Sequence, residues 1–318
     1  MTERQIVVVG YDAAELLDIA CVTTTLATAN RLGAEPRYAI AVATPGGRPI
    51  GCGSGLSLDG GHSLERLRGP LDTLVVTGGF GHEAAAANPL IVGHVRRLAR
   101  ESRRVASVCT GASVLAAAGL LDGRRATTHW SYAAQLAAGY PAVEVDPAPI
   151  FIRDGEVATA AGVTSALDLT LAFVAEDHGP GLARSVARAL VTYLQRPGNQ
   201  AQMSMYVSTG APWHDAVRRA VDHVAGHLTA DLGSAALAEV AGIGERQLTR
   251  LFAEQLGRTP GRFVRDARLE AAAQLLTTTS LPVARVAAHC GFRSAEALRQ
   301  AFTARYGVPP SRFRQSMA

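Results

Sequence analysis

Lysine is absent from this 318-residue sequence, and all 31 basic side chains are arginine. An all-arginine complement suits phosphate binding, but it equally fits the codon usage of a GC-rich genome, which the abundance of Ala and Gly also suggests. Cysteine is scarce. Cys21, Cys52, Cys109 and Cys290 are scattered with no CxxC pair, which argues against a disulfide framework or a cysteine-based zinc site and leaves reduced thiols. No apolar stretch approaches the roughly 20 residues of a membrane span. The opening MTERQIVVVG runs straight into a strand-like segment, without the basic, apolar and small-residue regions of a signal peptide, so a cytoplasmic protein is expected. Metal-ligand spacing is also missing. His62, His82 and His94 form no cluster, and His223 and His227, four apart, lack a clear third ligand and read as a polar helix surface. No metal and no cofactor is expected.

What is present suits a folded chain: 48% hydrophobic and 18% charged residues are far from the signature of disorder. The length exceeds what one core usually organises, so two domains are the default. The net charge of +4 is unevenly placed. From Asp215 onward there are 14 Arg against 9 Asp and Glu, an excess of +5 that leaves the first 214 residues at −1.

The first half alternates near-continuous apolar runs with Ala-rich helical stretches. IVVVG (6–10), YAIAVAT (38–44), TLVVTGG (73–79) and RVASVC (104–109) read as strands buried on both faces, with helices over 16–31, 90–101 and 111–118 between them. This βαβ alternation predicts an α/β doubly wound domain. PIFIRDGEVATAAG predicts a hairpin turning at Asp154-Gly155 in a type I′ turn, and a helical run from 164 to about 194 should close the domain. RPGNQAQMS (196–204) breaks the periodicity. The expected division is a sensor domain over 1–195, a linker over 196–214, and an all-α domain over 215–318.

The second domain contains an imperfect repeat. LAEVA (237–241) matches VARVA (283–287), and LTRLFAEQLGRTPGRF (248–263) matches LRQAFTARYGVPPSRF (298–313). The offset grows from 46 to 50 residues, which predicts a longer turn in the second copy. Each copy has a short helix, a glycine-containing turn and a second helix, the helix-turn-helix layout. At 100° per residue, Leu248, Leu251 and Phe252 face inward, so Arg246, Thr249, Arg250 and Ala253 project outward. In the second copy Leu298, Ala301 and Phe302 face inward, and Glu296, Arg299, Gln300 and Thr303 project. Arg can fork onto guanine, Gln can pair with adenine and Glu can accept from cytosine. Double-stranded operator or promoter DNA is the partner these faces predict.

In the first domain SVCTGASVLAAAGLL places Cys109 between a buried strand and a helix, the layout of a nucleophile elbow. The nearby helix N-terminus should favour thiolate. The glycines of TGGFG (77–81) can aim backbone N–H groups at a ligand oxygen, and ATTHW supplies His129 as a base or orienter. On residue type alone Cys109 fits inert core, nucleophile or peroxide-sensitive thiol.

Residues 217–315 resemble the DNA-binding domain of the AraC/XylS family in LAEVAGIGERQLTRLF, GRTPGRFVRDARLEAA, VARVAAHCGFRSAEALRQAF and YGVPPSRFR. The resemblance implies base reading by Arg246, Thr249 and Arg250 and by Glu296, Arg299 and Gln300. It also implies a linking helix over about 263–276 that sets the two units in successive major grooves. Gly244 stands where the family often has a Ser cap, and Gln300 where it often has Arg, which suggests a different base preference. Residues 4–195 resemble the ThiJ/PfpI branch of the class I glutamine-amidotransferase-like superfamily in TLVVTGGFG, SVCTGA, LLDGRRATTHW and AGVTSALDL. That implies a flavodoxin-like fold and a pocket at Asp18, Gly79, Phe80, Cys109, Thr110 and His129, with Asp18 where isonitrile hydratases have a catalytic carboxylate. Together the two halves resemble GlxA-type regulators. This implies a non-catalytic sensor of a small-molecule effector, an amino-acid derivative or quaternary amine in many such proteins. It further implies a homodimer formed through the first domain, with RNA polymerase as a further partner. The alternative is a thiol-dependent enzyme, an isonitrile hydratase or amide hydrolase, with a DNA-binding tail.

Overall fold

A computed structural model describes residues 3–192, 196, 198, 202, 214–279 and 281–317. The chain divides into two compact units, Met1–Gln202 and Met203–Ala318. The linker expected at 196–214 lies mostly outside the described residues, as does the end of the helix expected to reach 194.

In the first unit the apolar runs and the expected hairpin become β1 (Glu3–Val9), β2 (Arg37–Thr44), β4 (Leu71–Val76), β5 (Ser102–Val108), β6 (Phe151–Asp154) and β7 (Val157–Ala160), to which the structure adds a short polar strand, β3 (Gly61–Ser63). They form one seven-stranded sheet in the order β6-β7-β5-β4-β1-β2-β3. All neighbours are parallel except the edge pair β6 and β7. This is the doubly wound, flavodoxin-like arrangement. Every residue of β4 is buried, as a strand covered on both faces requires. The helices are α1 (Leu16–Arg31), α2 (His82–Ala87), α3 (Pro89–Arg100), α4 (Gly111–Ala117), α5 (Ala133–Gly139), α6 (Thr164–His178) and α7 (Pro180–Ala189). Helix α1 packs with α6 and α7, and α4 with α2 and α3, so two groups of helices cover the sheet. The strand order reverses beside β1. The carboxyl ends of β1, β4 and β5 therefore open at the topological switch point, where doubly wound folds bind ligands.

Two expectations are corrected here. Asp154 pairs with Val157, so the hairpin turns on Gly155-Glu156 and not on Asp154-Gly155. Only Gly155 has positive φ there, 63°, which matches a type II′ turn with glycine first. The single closing helix is two, because Gly179, at φ 85°, and Pro180 cannot continue α6.

The second unit is helical throughout its described residues: α8 (Asp215–Gly226), α9 (Ser234–Ala241), α10 (Glu245–Leu256), α11 (Pro260–Thr278), α12 (Val283–His289), α13 (Ala295–Tyr306) and α14 (Pro310–Met317). The sequence repeat reappears as two small cores that α11 joins. Phe263, Val264 and Ala267 enter the first, and Leu269, Ala272 and Leu276 the second. Equivalent phenylalanines anchor each core. Phe252 meets Phe263 edge to face at 5.6 Å, and Phe302 meets Phe313 at 5.0 Å. Truncating one such ring to alanine costs about 3 to 5 kcal/mol. The linking helix is longer than the expected 263–276, because Thr259 caps it and Pro260 starts it. The four extra residues of the second copy do not all enter its turn. Helix α12 runs on to His289, and the connection to α13 is Cys290–Ser294, against Gly242–Gly244 between α9 and α10.

Candidate functional site

At the switch point Asp18 lies in the first turn of α1, Gly78 and Gly79 follow β4, and Cys109 follows β5. Cys109 has φ 55°, a left-handed conformation that costs of order 1 to 3 kcal/mol in a residue with a side chain. The backbone of this elbow is fixed from both sides. Its N–H donates to the Ala160 carbonyl at 2.9 Å, and its carbonyl accepts from Thr128 Oγ1 at 2.9 Å. Thr110 Oγ1 accepts from Gly79 N–H at 2.9 Å and donates to the Gly79 carbonyl at 3.0 Å, a reciprocal pair that ties the glycine loop to the elbow. A Cβ on Gly162 would fall 2.9 Å from Cys109 Sγ, and one on Gly78 would fall 2.5 Å from Cys109 Cβ. Only glycine fits at these two positions.

Asp18 is fully buried and accepts from Gly78 N–H at 3.0 Å and Val163 N–H at 2.7 Å. Val163 itself has φ 48°. Burial pushes the Asp18 carboxyl up to about 7, although both N–H groups oppose the rise. Tyr11, buried just beyond β1, donates to the Thr77 carbonyl at 2.7 Å. Burial, with Cys109 and Asp18 nearby, raises its phenol pKa further.

The thiolate expectation is overturned. Burial first, and the Asp18 charge second, push the Cys109 thiol up to about 12. Desolvation at 7% exposure outweighs the helix N-terminus, whose field is worth about a kcal/mol. The Gly78 and Gly79 N–H groups are likewise engaged, with Asp18 and Thr110, and do not form a vacant oxyanion hole.

The structure brings Asp18, Gly79, Cys109 and Thr110 together. Phe80 stands outside, 75% exposed. His129 faces Ser131, Nδ1 to Oγ 2.7 Å, and its ring lies 5.6 Å from that of Trp130; its neighbour Thr128 is the residue bonded to Cys109. Tyr11, Thr128, Gly162 and Val163 are additions; the last three lie within the quoted motifs ATTHW and AGVTSALDL but were not singled out there. Position two residues after a strand offers a signal for Tyr11 and Gly162. His223 and His227 stack at 4.4 Å, with His227 Nδ1 3.0 Å from the His223 carbonyl oxygen.

In the second unit Leu248, Leu251, Phe252 and Leu256 of α10 are buried, while Arg246 and Arg250 are exposed and Thr249 is half-buried. On α13 Leu298, Ala301 and Phe302 are buried, and Glu296, Arg299 and Gln300 are exposed. These polar faces differ in their internal contacts. Arg250 pairs with Glu254 at 3.3 Å. Glu296 receives both Arg299 Nε at 2.7 Å and NH2 at 2.6 Å, and Gln300 Nε2 at 2.9 Å. Exposed pairs of this kind contribute at most about 1 kcal/mol, so a base edge can displace them.

Comparison with known proteins agrees with both halves. The model of the DJ-1/PfpI family matches residues 4–176, and that of a helix-turn-helix domain matches residues 237–316. The HTH-type transcriptional regulator CdhR of Pseudomonas aeruginosa is 35% identical over 289 residues, covering 91% of this chain and 85% of that protein. The HTH-type transcriptional regulator GlxA of Rhizobium meliloti is 32% identical over 301 residues, covering 94% and 92%. Among solved structures, a ThiJ/PfpI family protein from Pseudomonas syringae superposes with a TM-score of 0.56 at 25% identity, covering 76% of this chain and 91% of that one. No helix among the described residues is long and apolar enough to cross a membrane. The chain belongs to the AraC-type HTH transcriptional regulators of the GlxA and CdhR kind, which carry a DJ-1/PfpI domain ahead of the DNA-binding domain.

Proposed function

We propose that this regulator couples a small-molecule sensor, built around Asp18 and Cys109, to a two-part reader of operator DNA. Arg246, Thr249 and Arg250 enter one major groove, and Glu296, Arg299 and Gln300 enter the next, about 34 Å along the duplex. The observation that carries this reading is the pair of matched polar faces on α10 and α13, each opposite a fully buried apolar stripe. The sensor reading is supported by a polar site at the switch point whose thiol is protonated at neutral pH, which suits binding better than catalysis or ready oxidation. A homodimer through the first domain and contact with RNA polymerase complete the proposal, on the strength of the resemblance. Arg250→Ala should weaken specific binding by about 1 to 3 kcal/mol in a gel-shift titration. Equal affinity for operator and scrambled DNA in both proteins would sink the reading.

The strained elbow at Cys109, with Asp18 close by, favours a second reading, thiol-dependent hydration of an isonitrile or hydrolysis of an amide. In it Asp18, poised near neutrality, takes the thiol proton and the sulfur attacks the substrate carbon. Turnover by the wild type that Cys109→Ser abolishes would establish it; turnover that survives the substitution, or no turnover on either substrate class, rejects it.

A further inference from the structure

The stretch that joins the two domains is anchored inside the first, on residues that build the Asp18 and Cys109 site. Gln202 is the last residue of the first compact unit. Its backbone N–H donates to the Ala148 carbonyl at 2.9 Å. Its side-chain amide is used at both ends. Oε1 accepts from Trp130 N–H at 2.9 Å, and Nε2 reaches the Thr128 carbonyl at 2.7 Å and Thr127 Oγ1 at 3.0 Å, with the Pro149 carbonyl at 3.3 Å. Thr128 is the residue whose hydroxyl holds the Cys109 carbonyl, so one residue separates Gln202 from the elbow.

Arg196 makes the second anchor. Its backbone N–H and its Nε donate to the two oxygens of Asp168, at 2.7 and 2.9 Å, and NH2 lies 2.7 Å from Oδ2. Asp168 is almost wholly buried on α6, where a carboxylate needs a partner. NH2 also reaches Thr164 Oγ1 at 2.9 Å. Thr164 begins α6 directly after Val163, whose N–H holds Asp18. The two anchors thus act on two segments that build one site, Gln202 on the non-strand segment 127–130 that holds Cys109 and Arg196 on the helix start that follows Val163. Backbone bonds reinforce the arrangement, with Phe151 N–H donating to the Gly198 carbonyl at 3.2 Å.

We infer that Arg196 and Gln202 are positioning residues forming a two-point latch, through which the state of the Asp18 and Cys109 site sets how the chain leaves the first domain toward the DNA-binding domain. An occupant that displaces Thr128, or the Val163–Thr164 corner, must break amide or guanidinium bonds to the latch, and so exerts differential binding energy on the connection. The reciprocal also holds. Releasing the latch loosens the walls of the site. This inference rests on the sensor reading above.

The full chain is tested as wild type, Gln202→Ala, Arg196→Ala and Arg196→Lys. Iodoacetamide labelling read peptide by peptide should show Cys109 alkylated about fivefold faster or more in the two alanine variants, with Cys21 and Cys52 unchanged, since only the local opening free energy has fallen. Hydrogen exchange over residues 126–132 in Gln202→Ala and 162–168 in Arg196→Ala should quicken roughly tenfold, while β1 and β4 keep wild-type protection. Arg196→Lys, which keeps the charge opposite Asp168, should lie nearer wild type. Unchanged Cys109 labelling, or equal acceleration at all thiols, overturns the latch. Retention of the same four proteins on an operator fragment is measured alongside. A wild type that binds no DNA specifically fails the regulator reading while leaving the labelling result to decide the latch.

Discussion

Cys109 and Val163 both hold positive φ without being glycine, at 55° and 48°, and both serve one carboxylate-thiol site. Their strain persists because Ala160, Thr128 and Asp18 bond the backbone on each side. Asp18 gives a testable pH dependence. Its folded pKa of about 7 lies above the 3.8 usual for an aspartate, so the folded state holds the proton more tightly. The resulting stability is present below the unfolded pKa and is lost as pH rises through 7. Asp72 and Asp177 have the opposite sign, because neighbouring arginines lower their pKa values against the effect of burial. Their contribution is present above the unfolded pKa and is lost in acid. Unfolding by denaturant should therefore show the wild type losing a few kcal/mol relative to Asp18→Asn between pH 5 and 8, at about 1.4 kcal/mol for each tenfold difference in proton affinity between the folded and unfolded states. Parallel pH curves for the two proteins would refute the assignment. Cys109 and Thr110 were legible in the sequence because they sit in a recognisable strand-end motif, and Asp18 through the family resemblance alone. The roles of Tyr11, Thr128 and Val163 were not, although the last two lie in quoted motifs, since they depend on backbone angles and on contacts that span up to 145 residues.

At the scale of elements, α10 and α13 begin differently. Ser294 caps α13 by accepting from Ala297 N–H at 3.1 Å, whereas Gly244 offers α10 no side-chain cap. Ser294→Ala should cost about 1 kcal/mol, and Gly244→Ser should gain a few tenths; thermal unfolding of the full chain checks both, and a gain from Ser294→Ala would contradict the cap. Exposure of Arg246, Arg250, Glu296, Arg299 and Gln300 followed from the 100° projection, because buried leucine and phenylalanine at helical spacing leave one outward direction, whereas Thr249 and Thr303, expected to project, are half-buried at its edge. Helix ends were less legible. The extra residues of the second copy divided between helix and turn, and the closing helix broke at Gly179, choices that packing and capping make locally.

For the whole molecule, the outward polar faces of α10 and α13 are unlike. One offers two arginines and a threonine, and the other ties Arg299 and Gln300 to Glu296. One subunit should therefore select an asymmetric site with different base preferences in its two grooves. Selection from random DNA followed by sequencing tests this, and a palindrome within one subunit's footprint would contradict it. The sequence by itself determined the domain types, the parallel sheet, the helical repeat and the outward faces, because each follows from local periodicity and motif chemistry. Only the tertiary structure decided the state of the Asp18 and Cys109 site. Burial of Cys109 beside Asp18 keeps the thiol protonated, and the bonds of Arg196 and Gln202 join the interdomain stretch to that site. Desolvation and long-range hydrogen bonding depend on which distant residues meet, and no local pattern along the chain encodes that.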